Sequence, residues 1–254
     1  LLIDDLLIDI IDMVHLDDLQ ELSNCNVLLN DIIHEPKFVR KSVPNNIIRL
    51  MNDGNFNGAL VVATRGGHLE ICKYLVEQGA NNFDDALDEA SWCSHFNICK
   101  YLVSLGATNL NTALRYAAYN YNLNICKYMI EQGATNLNEA LEYAAYGDLE
   151  ICKYLVSLGA TDFNEALANS SWNGHLDICK YLIEQGATDF NEALANSSWH
   201  GHLDICKYLI EQGATIIATN LNKALCNDRD NLEICKYLVS LGATNFNRAL
   251  VSAA

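Results

Sequence analysis

Seven of the chain's ten cysteines stand in one recurring phrase, Ile-Cys-Lys-Tyr: Cys72, Cys99, Cys126, Cys152, Cys179, Cys206 and Cys235. The steps between them are 27, 27, 26, 27, 27 and 29 residues. Thiols in such number offer disulfide formation, metal ligation or nucleophilic attack. A disulfide needs Cα atoms within about 7 Å, whereas equivalent positions on stacked helical repeats stand ~8–10 Å apart. A metal centre needs ligands clustered at short spacing, and the chain has no Cys-x-x-Cys pair. The nearest grouping, Cys93, His95 and Cys99, does not follow a ligand motif. No nucleophile–base constellation, phosphate loop or convergent polar cluster stands out. The column reads as buried thiols acting as small apolar side chains in a reducing compartment. No metal, no cofactor and no enzymatic activity are expected.

Two further columns share the period. Lys73, Lys100, Lys127, Lys153, Lys180, Lys207 and Lys236 hold seven of the sixteen basic residues, most with an acid three positions earlier; Asn replaces that acid before Lys100 and Lys127. With a formal charge of −16, the chain repels phosphate backbones and anionic lipid, so the lysines read as a solvated face and nucleic-acid or membrane binding is not expected. The other column lies five residues after a recurring Leu: Trp92, Tyr119, Tyr146, Trp172 and Trp199. On an open surface these rings form a protein-binding stripe, since Trp and Tyr dominate interface hot spots. Packed over the ends of neighbouring helices, they hold the stack instead. Cys93, Asn120, Asn173 and His200 vary beside the rings, which favours binding.

The elements that carry these columns are repeats. Residues 188–214 repeat 161–187 with one change, Asn173 to His200. Within 161–187, Asn164 or Asp162 suits an N-cap, NEALANSSW a short helix, and Asn173-Gly174 its end. HLDICKYLIEQ follows as a second helix with Leu176, Cys179, Leu182 and Ile183 on one apolar face, Asp177 spaced to pair with Lys180, and Gly186 closing it. Two helices of about ten residues are not stable alone, so each pair buries its face against the next copy. The repeats run 55–80, 81–107, 108–134, 135–160 (one residue short at Tyr146-Gly147-Asp148), 161–187, 188–214 and an irregular 215–243. In the last of these, TIIATNLN lengthens the loop and CNDRDN shortens the turn. An eighth begins at 244 and stops after its first helix, which points to further chain beyond it.

The recurring phrase Ala-Leu-x-x-Ala-x-x-x-Gly-His-Leu-Glu-Ile-Cys-Lys-Tyr-Leu-Val-Glu-Gln-Gly-Ala resembles the ankyrin repeat. Leu167, Ser170-Ser171, Gly174-His175-Leu176 and Gly186-Ala187 fall on that family's Leu, Ala-Ala, Gly-His-Leu and Gly-Ala positions. The likeness runs from Asn55 to the end. Thr-Pro is replaced by Glu-Ala and its variants, and the repeat is shorter than the family's by the stretch that makes a β-hairpin finger. The resemblance implies an all-α helix-turn-helix solenoid with short loops in place of fingers. It also implies that the ring column lines a concave binding face, and that Asn173 and His200 join Trp92, Tyr119, Tyr146, Trp172 and Trp199 there.

The front of the chain is a different object. Residues 1–42 read as a three-helix module with apolar and acidic faces. Leu6, Leu7, Ile10 and Ile11 form one helix face, Asp17-Asp18 start a second helix with Leu19 and Leu22, Val27, Leu28, Ile32 and Ile33 continue, and Glu35-Pro36 breaks the pattern. Asp4-Asp5-Leu6-Leu7, Ile10-Ile11, Asp18-Leu19, Leu22-Ser23, Glu35-Pro36, Phe38 and Arg40-Lys41 fall without a gap on the F-box pattern, which the module resembles. Ile3, Leu29 and Val39 replace that family's Pro and two Trp residues. The competing reading is a helical cap on the first repeat. Residues 43–54 form a degenerate half-repeat that links the module to the array 55–254.

An F-box implies docking to a Skp-type adaptor of a cullin–RING ubiquitin ligase through Leu6, Leu7, Ile10, Ile11, Leu19, Leu22, Pro36 and Phe38, with the repeats holding the substrate. The alternative is a repeat scaffold without a ligase. The layout and the heavy use of Asn, Ile, Lys and Tyr resemble proteins of large DNA viruses. A monomer in the cytoplasm, or in the host cytoplasm or nucleus if viral, is expected. Asp4, Asp5, Asp9 and Asp12 interrupt the N-terminal apolar run, which argues against a signal peptide. No stretch approaches the ~18 unbroken apolar residues of a membrane span. The missing initiator Met points to a trimmed or partial chain.

Overall fold

The computed structural model describes residues 43–215 and 232–241. The F-box-like module, the irregular loop and turn of the seventh repeat, and the partial eighth lie outside the described residues. Among the described residues the fold is all-α, with fourteen helices and no strand. The described residues fall into two compact units that divide between Asn82 and Phe83.

In the first unit, α1 (Asn45–Asn52), α2 (Phe56–Arg65) and α3 (Leu69–Glu77) follow one another, and α2 packs against both neighbours. Ile47 and Met51 of α1 are buried, so the half-repeat 43–54 supplies a helix with an apolar face. The second unit alternates first and second helices of each repeat. The first helices are α4 (Phe83–Trp92), α6 (Leu110–Tyr119), α8 (Leu137–Ala144), α10 (Phe163–Asn173) and α12 (Phe190–His200). The second helices are α5 (Phe96–Ser104), α7 (Leu123–Glu131), α9 (Leu149–Ser157), α11 (Leu176–Gln185), α13 (Leu203–Glu211) and α14 (Leu232–Ser240). Each first helix packs on the next first helix, and each second helix on the next second helix. This is the geometry of a helical repeat solenoid, in which burial comes from nearest neighbours.

The core is written once per repeat. Ala166, Leu167, Ile178, Cys179, Leu182 and Ala187 are buried, and each position recurs buried in the neighbouring repeats. Burying a Leu or Ile side chain contributes about 1.5–3 kcal/mol. Ile178 belongs to this face although the i, i+3, i+6, i+7 pattern passes over it. Gly186, with φ 115°, ends α11 as a left-handed residue that a Cβ would strain.

The finger is replaced by a loop tied from the side. The N-cap of α10 falls at Asp162, whose side chain makes no capping bond. Asn164, a candidate cap on sequence, lies inside the helix and does something else. Its Oδ1 accepts from the backbone N–H groups of Thr188 (2.7 Å) and Asp189 (3.1 Å) in the following repeat. Asn111 does the same for Thr135 and Asn136, Asn138 for Thr161 and Asp162, and Asn191 for Thr215. Asp84 takes the part of Asn, accepting from Thr108 and Asn109. A hairpin would have paired these loop N–H groups; without one, a side chain 24 residues earlier accepts from them.

The lysine column also differs from its sequence reading. Lys73, Lys153 and Lys236 pair with Glu70, Glu150 and Glu233 at 2.7–3.1 Å. Lys180 does not pair with Asp177. The shorter Asp side chain turns back to accept from the N–H of Ile178 at 2.9 Å, and Asp204 does so from Ile205. Lys180 and Lys207 lie instead over Tyr208 and Tyr237, and Lys127 over Tyr154, at 5.5–5.6 Å from the ring centroids. These are cation–π contacts to the next repeat.

Candidate functional site

The first helices of the second unit carry the aromatic column, and the structure leaves it open while packing it sideways. Trp92, Tyr119, Trp172 and Trp199 are 46, 39, 48 and 37% exposed. Tyr146 is half-buried. The rings are thus exposed and in sideways contact at the same time. Trp92 stacks on Tyr119 at 5.3 Å, and Tyr119 meets Tyr146 edge-on at 5.9 Å.

The column resolves into two groups. Tyr116 and Tyr143, three residues before Tyr119 and Tyr146, complete a five-ring cluster with Trp92. Such pairs contribute about 0.5–1.5 kcal/mol beyond their buried area. Trp172 belongs to a second group. Its ring stands 3.9 Å from that of His200, which faces His202 at 6.4 Å, and His202 Nε2 lies 3.0 Å from the Trp172 carbonyl. The break coincides with the short turn of the fourth repeat. There α8 ends at Ala144, and Tyr146 lies beyond the helix. Gly147 fills the turn under Tyr121 and His175, where a Cβ would come within 2.7 Å of the Tyr121 hydroxyl.

Asn173 and His200, the one difference between the twin repeats, sit in the last turn of their helices. Asn173 is exposed, and its Nδ2 donates to the Asn169 carbonyl at 2.9 Å. His200 Nδ1 lies 3.1 Å from the equivalent carbonyl of Asn196. The substitution keeps this local bond and adds a ring against Trp172 of the preceding repeat.

Sequence reasoning passed over the polar row beside the rings. Asp88, Arg115 and Glu142 occupy one position in three successive repeats, directly after the buried Leu. The signal was the Leu-plus-one column, which turns to Ala168 and Ala195 in the twins. Asp88 accepts from Asn109 Nδ2 at 2.9 and 3.0 Å. Burial, reinforced by the neighbouring charge of Asp85, pushes its carboxyl up to about 6 against the opposing pull of Arg115. Burial and the charges of Glu165, Asp162 and Glu139 raise Glu142. Asp84 goes the other way: burial raises it, but the hydrogen bonds from Thr108 and Asn109 outweigh that and hold it low.

The recurring thiols are sheltered in the core. All seven Ile-Cys-Lys-Tyr cysteines are buried and free of disulfides. Burial pushes Cys126 and Cys152 up to about 12, and Cys72 and Cys99, each beside a hydroxyl of Thr64 or Ser91, to about 11. A raised pKa lowers the thiolate fraction, the form that attacks and ligates. Among the described residues no three His, Cys, Asp or Glu side chains are grouped to hold a metal, and no helix is long and apolar enough to cross a membrane.

The family model described as ankyrin repeats (3 copies) matches residues 29–111, 105–166 and 160–220. No curated protein matches the chain. The matched segments cover most of the sequence and coincide with the paired helices, the left-handed glycines and the buried Leu, Ile and Cys columns. The chain belongs to the ankyrin-repeat family, whose role is protein–protein interaction.

Proposed function

We propose that the protein is the substrate-recognition adaptor of a cullin–RING ubiquitin ligase. In this reading residues 55–254 hold the target on the concave side of the array, residues 1–42 form an F-box-like module for a Skp-type adaptor, and 43–54 link the two. The target face is the row Trp92, Tyr119, Tyr146, Trp172 and Trp199, with Asn173 and His200 beside it. The adaptor face is Leu6, Leu7, Ile10, Ile11, Leu19, Leu22, Pro36 and Phe38. The protein performs no chemistry in this role. It raises the effective concentration of a target beside the ligase. A monomer acting in the cytoplasm, or in the nucleus of a virally infected cell, fits this reading.

The observation that carries the target half is the exposure of large rings in successive repeats of an interaction fold. The adaptor half rests on the gap-free F-box-like pattern of residues 4–41. The test is co-purification with the full chain. Polar replacement of Leu6 and Leu7 abolishes adaptor capture and spares target capture; Trp92→Ala with Tyr119→Ala does the reverse. Adaptor capture unaffected by the first pair, or absent from the wild-type chain, leaves the second reading, an ankyrin scaffold with a helical N-terminal cap.

A further inference from the structure

Among the described residues, Arg115 is the one Lys or Arg on the five first helices α4, α6, α8, α10 and α12. Its guanidinium lies 4.9 Å from the Tyr116 ring centroid and 5.7 Å from that of Tyr143. Its Nη1 stands 3.4 Å from Glu139 Oε1 of the following repeat. The face therefore already holds one cation, by rings and a carboxylate together. That is the pairing a planar guanidinium favours.

The first helices on either side carry rings and carboxylates with no Lys or Arg of their own, Asp88 accepting from Asn109 and lying within the field of Arg115. Asp88 lies one helical turn before Trp92 on α4, so carboxylate and ring share a face there, and Glu142 on α8 acts electrostatically on Tyr146, which lies just past that helix. Across these five helices there are eight carboxylates and one guanidinium. The second helices, by contrast, carry the lysines. Burial first, and neighbouring carboxylates after it, raise the carboxyls of Asp88 and Glu142.

We infer that this face binds a basic protein segment, whose Arg and Lys side chains seat between the Trp92–Tyr119–Tyr146 rings and the carboxylates of Asp88 and Glu142, as Arg115 does internally. The inference rests on the protein-binding reading above and adds the partner's chemistry. First helices of successive repeats are spaced ~8–10 Å apart, and an extended chain advances ~3.3 Å per residue. A segment with a cation at every third residue keeps step with the repeats.

The test uses the full chain and a synthetic peptide of repeated Arg-Gly-Gly, with Ser-Gly-Gly and Glu-Gly-Gly peptides of equal length. All three tryptophans of the chain, Trp92, Trp172 and Trp199, lie in the aromatic column, so tryptophan emission reports on the face. The Arg peptide gives a saturable change that weakens with salt. Glu142→Gln and Asp88→Asn each weaken binding roughly tenfold, the scale of one charge-paired contact. Glu131→Gln, on a second helix, leaves it unchanged. No saturable binding of the Arg peptide, or binding indifferent to both variants while their thermal unfolding matches wild type, overturns the inference. Binding of the Ser or Glu peptide in its place, lost in Trp92→Ala, overturns the basic partner but keeps the protein-binding face. Target capture insensitive to Trp92→Ala with Tyr119→Ala overturns the face itself.

Discussion

Repeats two to four and the twin repeats five and six share one scaffold and differ in what they display. In the earlier repeats the first helices carry Asp88, Arg115 and Glu142, and five rings in mutual contact. In the twins the corresponding positions are Ala168 and Ala195. Where the earlier repeats have Tyr116 and Tyr143, the twins have Asn169 and Asn196, whose amides donate to the backbone carbonyls of Glu142 and Ala168 in the repeat before. The cores diverge too. Ala117-Ala118 and Ala144-Ala145 give way to Ser170-Ser171 and Ser197-Ser198, fully buried against Cys179 and Cys206. The buried Leu, Ile and Cys columns do not change, and the loop-tying side chain is Asn in each of these repeats but the second, where Asp84 does the same. Packing fixes a few positions per repeat and leaves the rest to set surface chemistry, which is how a repeat can be copied whole and another specialised.

The sharpest way to break that comparison is through the shared core. Leu141→Ala and Leu194→Ala remove side chains that are fully buried in each block, and each should cost about 2–5 kcal/mol by urea unfolding. A cost in one block several kcal/mol below the other would show that the two do not share a core. Next in size are the loop ties. Asn111→Ala and Asn164→Ala each lose two hydrogen bonds to the next repeat, about 1–2 kcal/mol. Asn164→Asp should be tolerated, because Asp84 already fills that place. An Ala variant as stable as wild type removes the tie as a structural device.

The charged row sharpens the contrast through pH. By carbon-detected NMR, Asp88 should titrate near 6, higher still in Arg115→Ala and lower in Asp85→Asn, following the causes of its shift. Its folded value lies above the unfolded one, so its contribution to stability is present below the unfolded value of 3.8 and is lost as pH rises through about 6. Asp88→Asn should flatten the pH dependence of unfolding in that window. An Asp88 midpoint near 4 would contradict the burial described. The smallest effect is expected in the twins. Ser170 Oγ donates only to the Leu167 carbonyl of its own helix, besides its contact with Cys179, so Ser170→Ala orphans no backbone group. It should shift stability by less than about 1 kcal/mol. A thiol reagent at pH 8 should then still reach Cys179 only through unfolding.

Much of this was legible beforehand, and for one reason. A period that recurs seven times averages out local ambiguity, so the helix pair, the Gly174 and Gly186 stops, the missing finger and the buried cysteines could be read from one repeat. Three things could not. Asn164 looks like a cap because Asn usually is one near a helix start, yet its partner is 24 residues away. Asp177 and Lys180 have the right spacing to pair, but one methylene decides whether the acid reaches the lysine or its own backbone. The ring column reads as a continuous ladder, while the one-residue deletion at Tyr146-Gly147-Asp148 divides the contacts into two groups.

The sequence by itself determined the repeat, its two helices, the columns that must be buried, and membership of the ankyrin-repeat family, because these follow from periodic burial along one chain. Only the tertiary structure decided that the rings are open and mutually packed at once, that a side chain of one repeat ties the loop of the next, and that Arg115 lies over Tyr116 and Tyr143 beside an unbalanced row of carboxylates. Those contacts join residues from different repeats. Their distances depend on how one helix pair sits upon the next, and a one-dimensional period cannot carry that.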